Sequence, residues 1–381
     1  MPTGKPSKPP SPARLSTPDR DASLAAAIER WFRANARDLP WRAIVPALRH
    51  RDPYLSLVSE FMLQQTQVSR VLEKFAPFIE RFPDANALAA APEHDVLAMW
   101  SGLGYYRRAK LLHAAAKAIA LHHAGTVPNS AAALRDLPGI GAYTAGAISS
   151  IVFGHQEPLA DGNVARVLLR LDAKATLPPS APATMKWVWA RAADLLATPA
   201  GRANPGGLNE GLMELGATVC TPRAPACDSC PLRASCLANA KGLQATIPAP
   251  KTPAPRKPLL AVSIVLRNRA GHILLEQRPR RGMWAGLWQA PSLEQIAADL
   301  PAVRHELTEQ LRQSLGLRTT PAAGPVFEHA TSHRSVVFVT FSSSATPHSP
   351  GPDRQWVPRE RLHEFGMSNA HRKVIDLALN H

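Results

Sequence analysis

Four cysteines constrain this chain more than any other residues. Cys220, Cys227, Cys230 and Cys236 are the only cysteines present, and they fall within seventeen residues in a C-x6-C-x2-C-x5-C array. Disulfides need not cluster in this way and are unusual in a large chain without signs of secretion. Four soft thiolates in one loop point instead to zinc or to an iron–sulfur cluster. Structural zinc sites usually pair two CxxC knuckles, and here only Cys227 and Cys230 form one.

The 381 residues around this loop suffice for two or three domains at ~150 residues each. A hydrophobic content of 45% with 19% charged residues suits a globular protein with sizeable cores. Lys and Arg number 44 against 29 Asp and Glu, a net charge of +15. That surplus fits a polyanion such as nucleic acid, or an anionic membrane surface. No segment favours the membrane: the uncharged stretch Ile140 to Gly154 is shorter than the ~18 residues of a spanning helix and is broken by glycines. Residues 1–20 hold six prolines and lack the apolar core of a signal peptide, which predicts a disordered basic tail and no secretion.

From about Asp21 to Lys241 apolar residues recur at helical spacing, as in Leu24, Ile28, Trp31 and Phe32, and in Val164, Val167, Leu168 and Leu171. Ile247 to Pro258 then carries five prolines and three basic residues, a composition that predicts an extended linker with no helix or central strand. Beyond it, Leu260–Leu266 and Ser335–Phe341 are rich in β-formers, while Ala302–Leu315 has a helical pattern. The expected organisation is a tail over 1–20, a mostly helical domain over 21–241, a linker over 242–258 and an α+β domain over 259–381.

Within the helical domain, Leu137-Pro-Gly-Ile-Gly-Ala-Tyr143 lies between two helical segments. Gly139 and Gly141 would let backbone amides approach a phosphate without obstruction by a Cβ, although a tight packing turn is the commoner reason for such a sequence. Asp161 and Asn163 follow where the next helix should begin, so Asp161 also reads as an N-cap. Hairpin, aspartate and cysteine loop together resemble the helix–hairpin–helix glycosylase superfamily. Leu39-Pro-Trp-Arg42, Glu60-Phe-Met-Leu-Gln-Gln-Thr-Gln67, Trp100-Ser-Gly-Leu-Gly-Tyr-Tyr106 and Asp161-Gly-Asn-Val164 resemble the adenine DNA glycosylase (MutY) family in particular. The likeness runs from about Arg37 to Cys236, interrupted by an insertion-like stretch at Ala43 to His50.

This resemblance implies one [4Fe–4S] cluster on the four cysteines, a six-helix part near 51–155 and an iron–sulfur part near 21–44 and 156–241. It assigns Glu60 the protonation of adenine N7, and Asp161 the stabilisation or capture of the cation at sugar C1′. Asn163 and Tyr143 match orienting positions. Two carboxyls with separated pKa values are what such chemistry needs. Apolar neighbours of Glu60 should keep it protonated, and a helix start should favour the Asp161 anion. Relatives that cut the strand carry a lysine at position 143, and a phenol forms no Schiff base, so a monofunctional enzyme is expected. Arg37, Trp41 and Arg42 match the adenine-pocket side, their plain alternatives being core for Trp41 and solvated surface for the arginines. Gln65, Thr66, Leu103 and Tyr105 match the lesion side, with Tyr105 as wedge. Arg223 and Arg233 within the cysteine loop are candidates for phosphate contact or for simple solvated charge.

Residues 259–381 resemble the MutT-like (Nudix) domain of the same family, through Gly286-Leu-Trp-Gln-Ala-Pro-Ser292. The best register for a metal-binding Nudix box, Glu309 to Leu317, offers Gln310, Gln313 and Ser314 in place of glutamates, so the domain should bind and not hydrolyse. Glu328-His-Ala-Thr-Ser-His333 matches a lesion-reading turn of the family through Ser332 and His333. Thr331 replaces that turn's phenylalanine, which implies a loosely held turn. The partner implied is double-stranded DNA with adenine opposite 8-oxoguanine or guanine, met by a monomer in a bacterial cytoplasm or a eukaryotic nucleus. A non-catalytic cluster-bearing DNA binder and an endonuclease III-like lyase are the alternatives.

Overall fold

The structure, a computed structural model, describes residues 17–45, 50–178, 181–249, 255–296, 300–344, 351 and 353–380. In chain order the elements are α1 (Thr17–Asn35), the two-residue strands β1 (Ile44–Val45) and β2 (His50–Arg51), α2 (Pro53–Leu63), α3 (Val68–Arg81), α4 (Ala85–Ala90), α5 (Glu93–Met99) and α6 (Arg107–His122). There follow α7 (Ala131–Arg135), α8 (Ala142–Ile151), α9 (Gly162–Leu171), α10 (Pro182–Leu196), α11 (Pro199–Ala203), α12 (Pro205–Thr218) and α13 (Leu237–Ala240). The C-terminal part holds β3 (Lys257–Leu266), β4 (Ile273–Gln277), β5 (Trp288–Gln289), β6 (Ser292–Gln295), α14 (Leu300–Ser314), β7 (Ala322–Ala330), β8 (Arg334–Ser343), β9 (Arg354–Val357) and α15 (Asn369–Leu379).

Two expected boundaries shift. Helix α1 starts at Thr17, inside the stretch expected as tail, and residues 1–16 lie outside the described residues. Strand β3 starts at Lys257, so the linker's last two residues are strand; Pro258 sits at the exposed strand start, where a missing N–H is tolerated. Residues 250–254 of the linker lie outside the described residues. The insertion-like stretch is a small hairpin in which Ile44 pairs with Arg51 and Val45 with His50; its residues 46–49 are likewise outside.

The chain forms two compact units, one made of 1–53, 129–136 and 140–251, the other of 54–128, 137–139 and 252–381. The first is helical. Its core gathers Leu24 and Ile28 of α1, Val164, Val167, Leu168 and Leu171 of α9, and Leu208, Leu212 and Leu215 of α12, with Cys220, Cys230 and Cys236 packed at its edge. The apolar spacings of α1 and α9 therefore mark the faces that fold inward.

The second unit joins helices α2–α6 to a sheet assembly. One mixed sheet has the order β6-β3-β8-β7, with β3 and β8 parallel; an antiparallel sheet has the order β5-β4-β9. Leu259, Ala261 and Val265 of β3 face a core shared with Val374 and Ile375 of α15. Leu260, Val262, Ile264 and Leu266 face another with Leu307 and Leu311 of α14. A strand covered on both faces reads as a near-continuous apolar run, the pattern of Leu259–Leu266, where buried Ser263 is satisfied by the Ser292 hydroxyl at 2.7 Å. Within this unit Tyr106 donates its hydroxyl to the Met367 carbonyl, and Arg372 Nε donates to Ser101 Oγ at 3.1 Å. A Cβ on Gly366 would lie 2.8 Å from Leu97 Cβ, so the segment before α15 seats closely on α5.

Candidate active site and cysteine loop

Asp161 is the N-cap of α9: its Oδ1 accepts from Val164 N at 2.7 Å. Its other oxygen accepts from Asn163 Nδ2 at 3.1 Å. Asn163 is itself gripped by Arg166, whose Nη2 donates to Asn163 Oδ1 and to the Gly216 carbonyl, both at 2.8 Å. Gly216 permits this approach, because a Cβ there would lie 2.7 Å from Asn163 Cβ. Burial raises the Asp161 pKa above its ordinary value, against the hydrogen bonds from Val164 and Asn163 and the charge of Arg166. The expectation that a helix start alone would favour the anion is thus corrected, since loss of solvent outweighs the helix terminus. Tyr143, on the first turn of α8, donates to Met213 Sδ at 3.3 Å in the same unit. Glu60 belongs to the other unit, half-buried on α2 between buried Ser59 and Phe61.

At the hairpin the two glycines differ. Gly139 has φ +79° and a Cβ on it would come within 2.7 Å of Leu111 Cβ, so backbone and packing both require glycine there. Gly141 precedes α8 as its N-cap, and its Cβ position faces open space, which leaves the first amides of α8 accessible.

Arg37 and Arg42 are engaged within the protein. Arg37 Nε and Nη2 contact the two oxygens of Glu214 at 2.6 and 2.9 Å, and Arg42 reaches both Glu214 and Glu210. Arg51 pairs bidentately with Glu210 at 2.7 and 2.8 Å. Burial works to raise the Glu214 pKa, but hydrogen bonds and charge from Arg37 and Arg42 prevail and hold it at about 2. The plain alternative of two solvated arginines is therefore corrected: they form a part-buried ionic cluster with Glu210 and Glu214 of α12. Trp41 is buried on the turn Pro40–Arg42. Glu210 and Glu214 carried no signal of their own in the sequence.

Of the residues expected on the lesion side, Gln65 and Tyr105 both adopt left-handed backbone, at φ +56° and +47°, as do Ala124, Ala173, Ala224 and Trp284 elsewhere. Tyr105 is 49% exposed whereas Leu103 is 5% exposed. What sequence reasoning missed is Arg108. Its guanidinium donates to the carbonyls of Phe61, Met62, Leu103 and Gly104 and to Thr66 Oγ1, at 2.8–3.1 Å. It also lies over the rings of Trp100 and Tyr105. Burial lowers its pKa to about 10, so it stays charged at neutral pH. Nothing local in the run Tyr105-Tyr106-Arg107-Arg108 marks Arg108, and only the fold brings the carbonyls to it.

Ser332 and His333 form the exposed tip between β7 and β8, and Ser332 Oγ lies 3.5 Å from the Tyr105 hydroxyl in the same unit. The turn is not loose. Thr331 N donates to the Arg334 carbonyl at 2.9 Å, and Thr331 Oγ1 accepts from Arg334 N at 3.0 Å and donates to its carbonyl at 3.2 Å. Three hydrogen bonds between Thr331 and Arg334 close the turn. Gln310, Gln313 and Ser314 all ride on α14.

The four cysteines line one pocket together with Arg170, Val219 and Pro225. Among the described residues no three His, Cys, Asp or Glu are gathered as a single metal ion would hold them. Arg170 Nη1 lies 3.4 Å from Cys220 Sγ and donates to the Thr221 carbonyl at 2.7 Å, while Nε donates to the Ile247 carbonyl. Arg166 donates to the Cys220 carbonyl at 2.8 Å. Burial pushes the Cys230 thiol up to about 11. Donor type and enclosure fit a thiolate-held group beside a buried cation. Arg233 pairs with exposed Asp228 at 3.0 Å. Among the described residues no helix is long and apolar enough to cross a membrane.

Residues 58–191 match the model of the HhH-GPD superfamily of base excision DNA repair proteins, and residues 262–377 match the NUDIX domain. The chain is 33% identical over 403 residues to the adenine DNA glycosylase of Rattus norvegicus, covering 92% of this chain and 77% of that one. It is 32% identical to the adenine DNA glycosylase of Homo sapiens, covering 91% and 72%. It is 43% identical over 207 residues to that of Mycobacterium tuberculosis, covering 53% and 63%. Among solved structures it resembles a thermostable thymine-DNA glycosylase, with a TM-score of 0.50 and 26% identity over 58% of this chain and 98% of the other.

Proposed function

The chain belongs to the adenine DNA glycosylase family, and from that premise we propose that it excises adenine opposite 8-oxoguanine or guanine in duplex DNA without cutting the strand. It is a base excision repair enzyme that hydrolyses the N-glycosyl bond of adenine.

In the proposed reaction the Glu60 carboxylic acid gives its proton to adenine N7. The C1′–N9 bond breaks with its electron pair moving into the purine, and cationic charge grows at C1′. Asp161 stabilises or briefly captures that cation. Water then adds to C1′ and returns a proton to Glu60. The observation that carries this reading is the fixing of Asp161 through both oxygens, by the Val164 amide and the Asn163 side chain. A carboxylate so held pays little reorganisation when charge develops. Tyr143, a phenol, orients without forming an imine. Gln65, Thr66, Leu103, Tyr105, Ser332 and His333 are assigned to the lesion; Arg37, Trp41 and Arg42 to the adenine side, acting through their ionic cluster and packing; Gly139 and Gly141 to a phosphate.

Cys220, Cys227, Cys230 and Cys236 would hold one [4Fe–4S] cluster. Four thiols ringing one pocket are the soft donor set such a group takes, and the family resemblance favours iron over zinc. The cluster would tie the loop together when bound, and no bond-breaking step runs through it.

The test is single-turnover excision on duplexes with adenine opposite 8-oxoguanine, guanine, cytosine and thymine. Adenine release opposite the first two, lost in Asp161→Asn, is expected. Efficient borohydride trapping of an enzyme–DNA adduct through position 143 would overturn the monofunctional assignment.

A further inference from the structure

The β7–β8 hairpin turns without the positive-φ residues that usually match a two-residue turn to strand twist. Ala330 pairs with Ser335, and only Thr331 to Arg334 complete the reversal. Two-residue hairpin turns that match strand twist need φ above zero at one or both central positions, usually supplied by Gly or Asn. Neither Ser332 nor His333 is in that region. Turns of the opposite hand splay the strands, so the tip needs another restraint.

Thr331 provides it. Its hydroxyl both accepts from Arg334 N and donates to the Arg334 carbonyl, beside the main-chain bond from Thr331 N. The far side is held by the His333 carbonyl, which accepts from Lys257 N at 3.1 Å. Ser332 is left exposed between two pinned points, its hydroxyl 3.5 Å from that of Tyr105.

We propose that Thr331 is a positioning residue for lesion discrimination: its hydroxyl fixes the turn that aims Ser332 at the oxidised edge of 8-oxoguanine. This rests on the assignment of Ser332 to the lesion given above. A hydroxyl at 331 is required because one group must donate and accept at once; valine has the same shape and can do neither.

The full-length chain is compared with Thr331→Val, Thr331→Ser and Ser332→Ala. The quantity read is the ratio of kcat/KM for adenine opposite 8-oxoguanine to that for adenine opposite guanine. Partial unfolding lowers both rates together and cancels in the ratio. Thr331→Val and Ser332→Ala should each lower the ratio about tenfold, the size of one lost base-edge contact. Thr331→Ser, which keeps the hydroxyl, should stay within about twofold of the parent. A ratio that falls for Ser332→Ala but holds for Thr331→Val overturns the role of Thr331 and leaves the Ser332 assignment standing. A fall for Thr331→Ser as deep as for Thr331→Val also overturns it, because the hydroxyl is then irrelevant. If Ser332→Ala leaves the ratio unchanged, the assignment beneath the proposal fails, and the proposal with it.

Discussion

Asp161 carries two duties at one position, capping α9 and presenting a half-buried carboxyl. The two separate cleanly in Asp161→Asn, since asparagine caps a helix about as well as aspartate. Excision should fall by at least about a hundredfold while the fold survives. The stability effect has a definite sign. The folded pKa lies above the ordinary 3.8, so the folded chain holds this proton more tightly than the unfolded one. The group's favourable contribution is complete below 3.8 and is lost as pH rises through the folded value. Asparagine escapes that loss. The melting temperature of Asp161→Asn relative to the parent should therefore rise between pH 4 and pH 7, and a relative decline over that range would refute the raised pKa.

At the scale of elements, two charged residues act as fasteners. Arg108, at the start of α6, ties the end of α2 to the loop before α6, and so holds the segments bearing Thr66 and Tyr105. Arg108→Met keeps much of the volume but strands several buried acceptors. It should cost at least about 3 kcal/mol in denaturant titrations, and slow excision of adenine opposite 8-oxoguanine in the fraction still folded. On α12, Glu214 binds Arg37 and Arg42. Glu214→Gln should cost about 2–3 kcal/mol at pH 7, less than for a fully enclosed pair because Arg37 keeps 38% of its side-chain exposure. With a pKa depressed from 4.5 to about 2, this carboxylate stabilises the fold above 4.5, and the contribution disappears as pH falls toward 2. The parent should lose stability across that window more steeply than the variant; parallel acid limbs would exclude the cluster as a source of stability.

For the whole molecule, the charge of +15 sets the response to salt. The logarithm of DNA affinity should fall by about 0.9 per phosphate contacted for each tenfold rise in salt, and a flat response would argue against DNA as the binding partner. Protein purified without oxygen should contain about four irons per chain, and Cys227→Ser should lose iron and soluble yield together; one zinc per chain would replace the cluster assignment. Much of this was legible from the chain alone, because its signals are local. The cysteine array, the apolar faces of α1 and α9, the near-continuous apolar run of β3 and the glycine at 139 each express a spacing or a backbone need within a few residues. The tertiary structure alone decided what depends on groups distant in sequence. Arg37 meets Glu214 across 177 positions and Arg108 meets Phe61 across 47, and no periodicity announces such partners. The direction of the Asp161 shift likewise follows from desolvation by the surrounding fold, and the Thr331 turn closes through hydroxyl geometry that composition does not encode. Spacing fixes which faces turn inward, whereas partner choice and loss of solvent exist only once those faces have met.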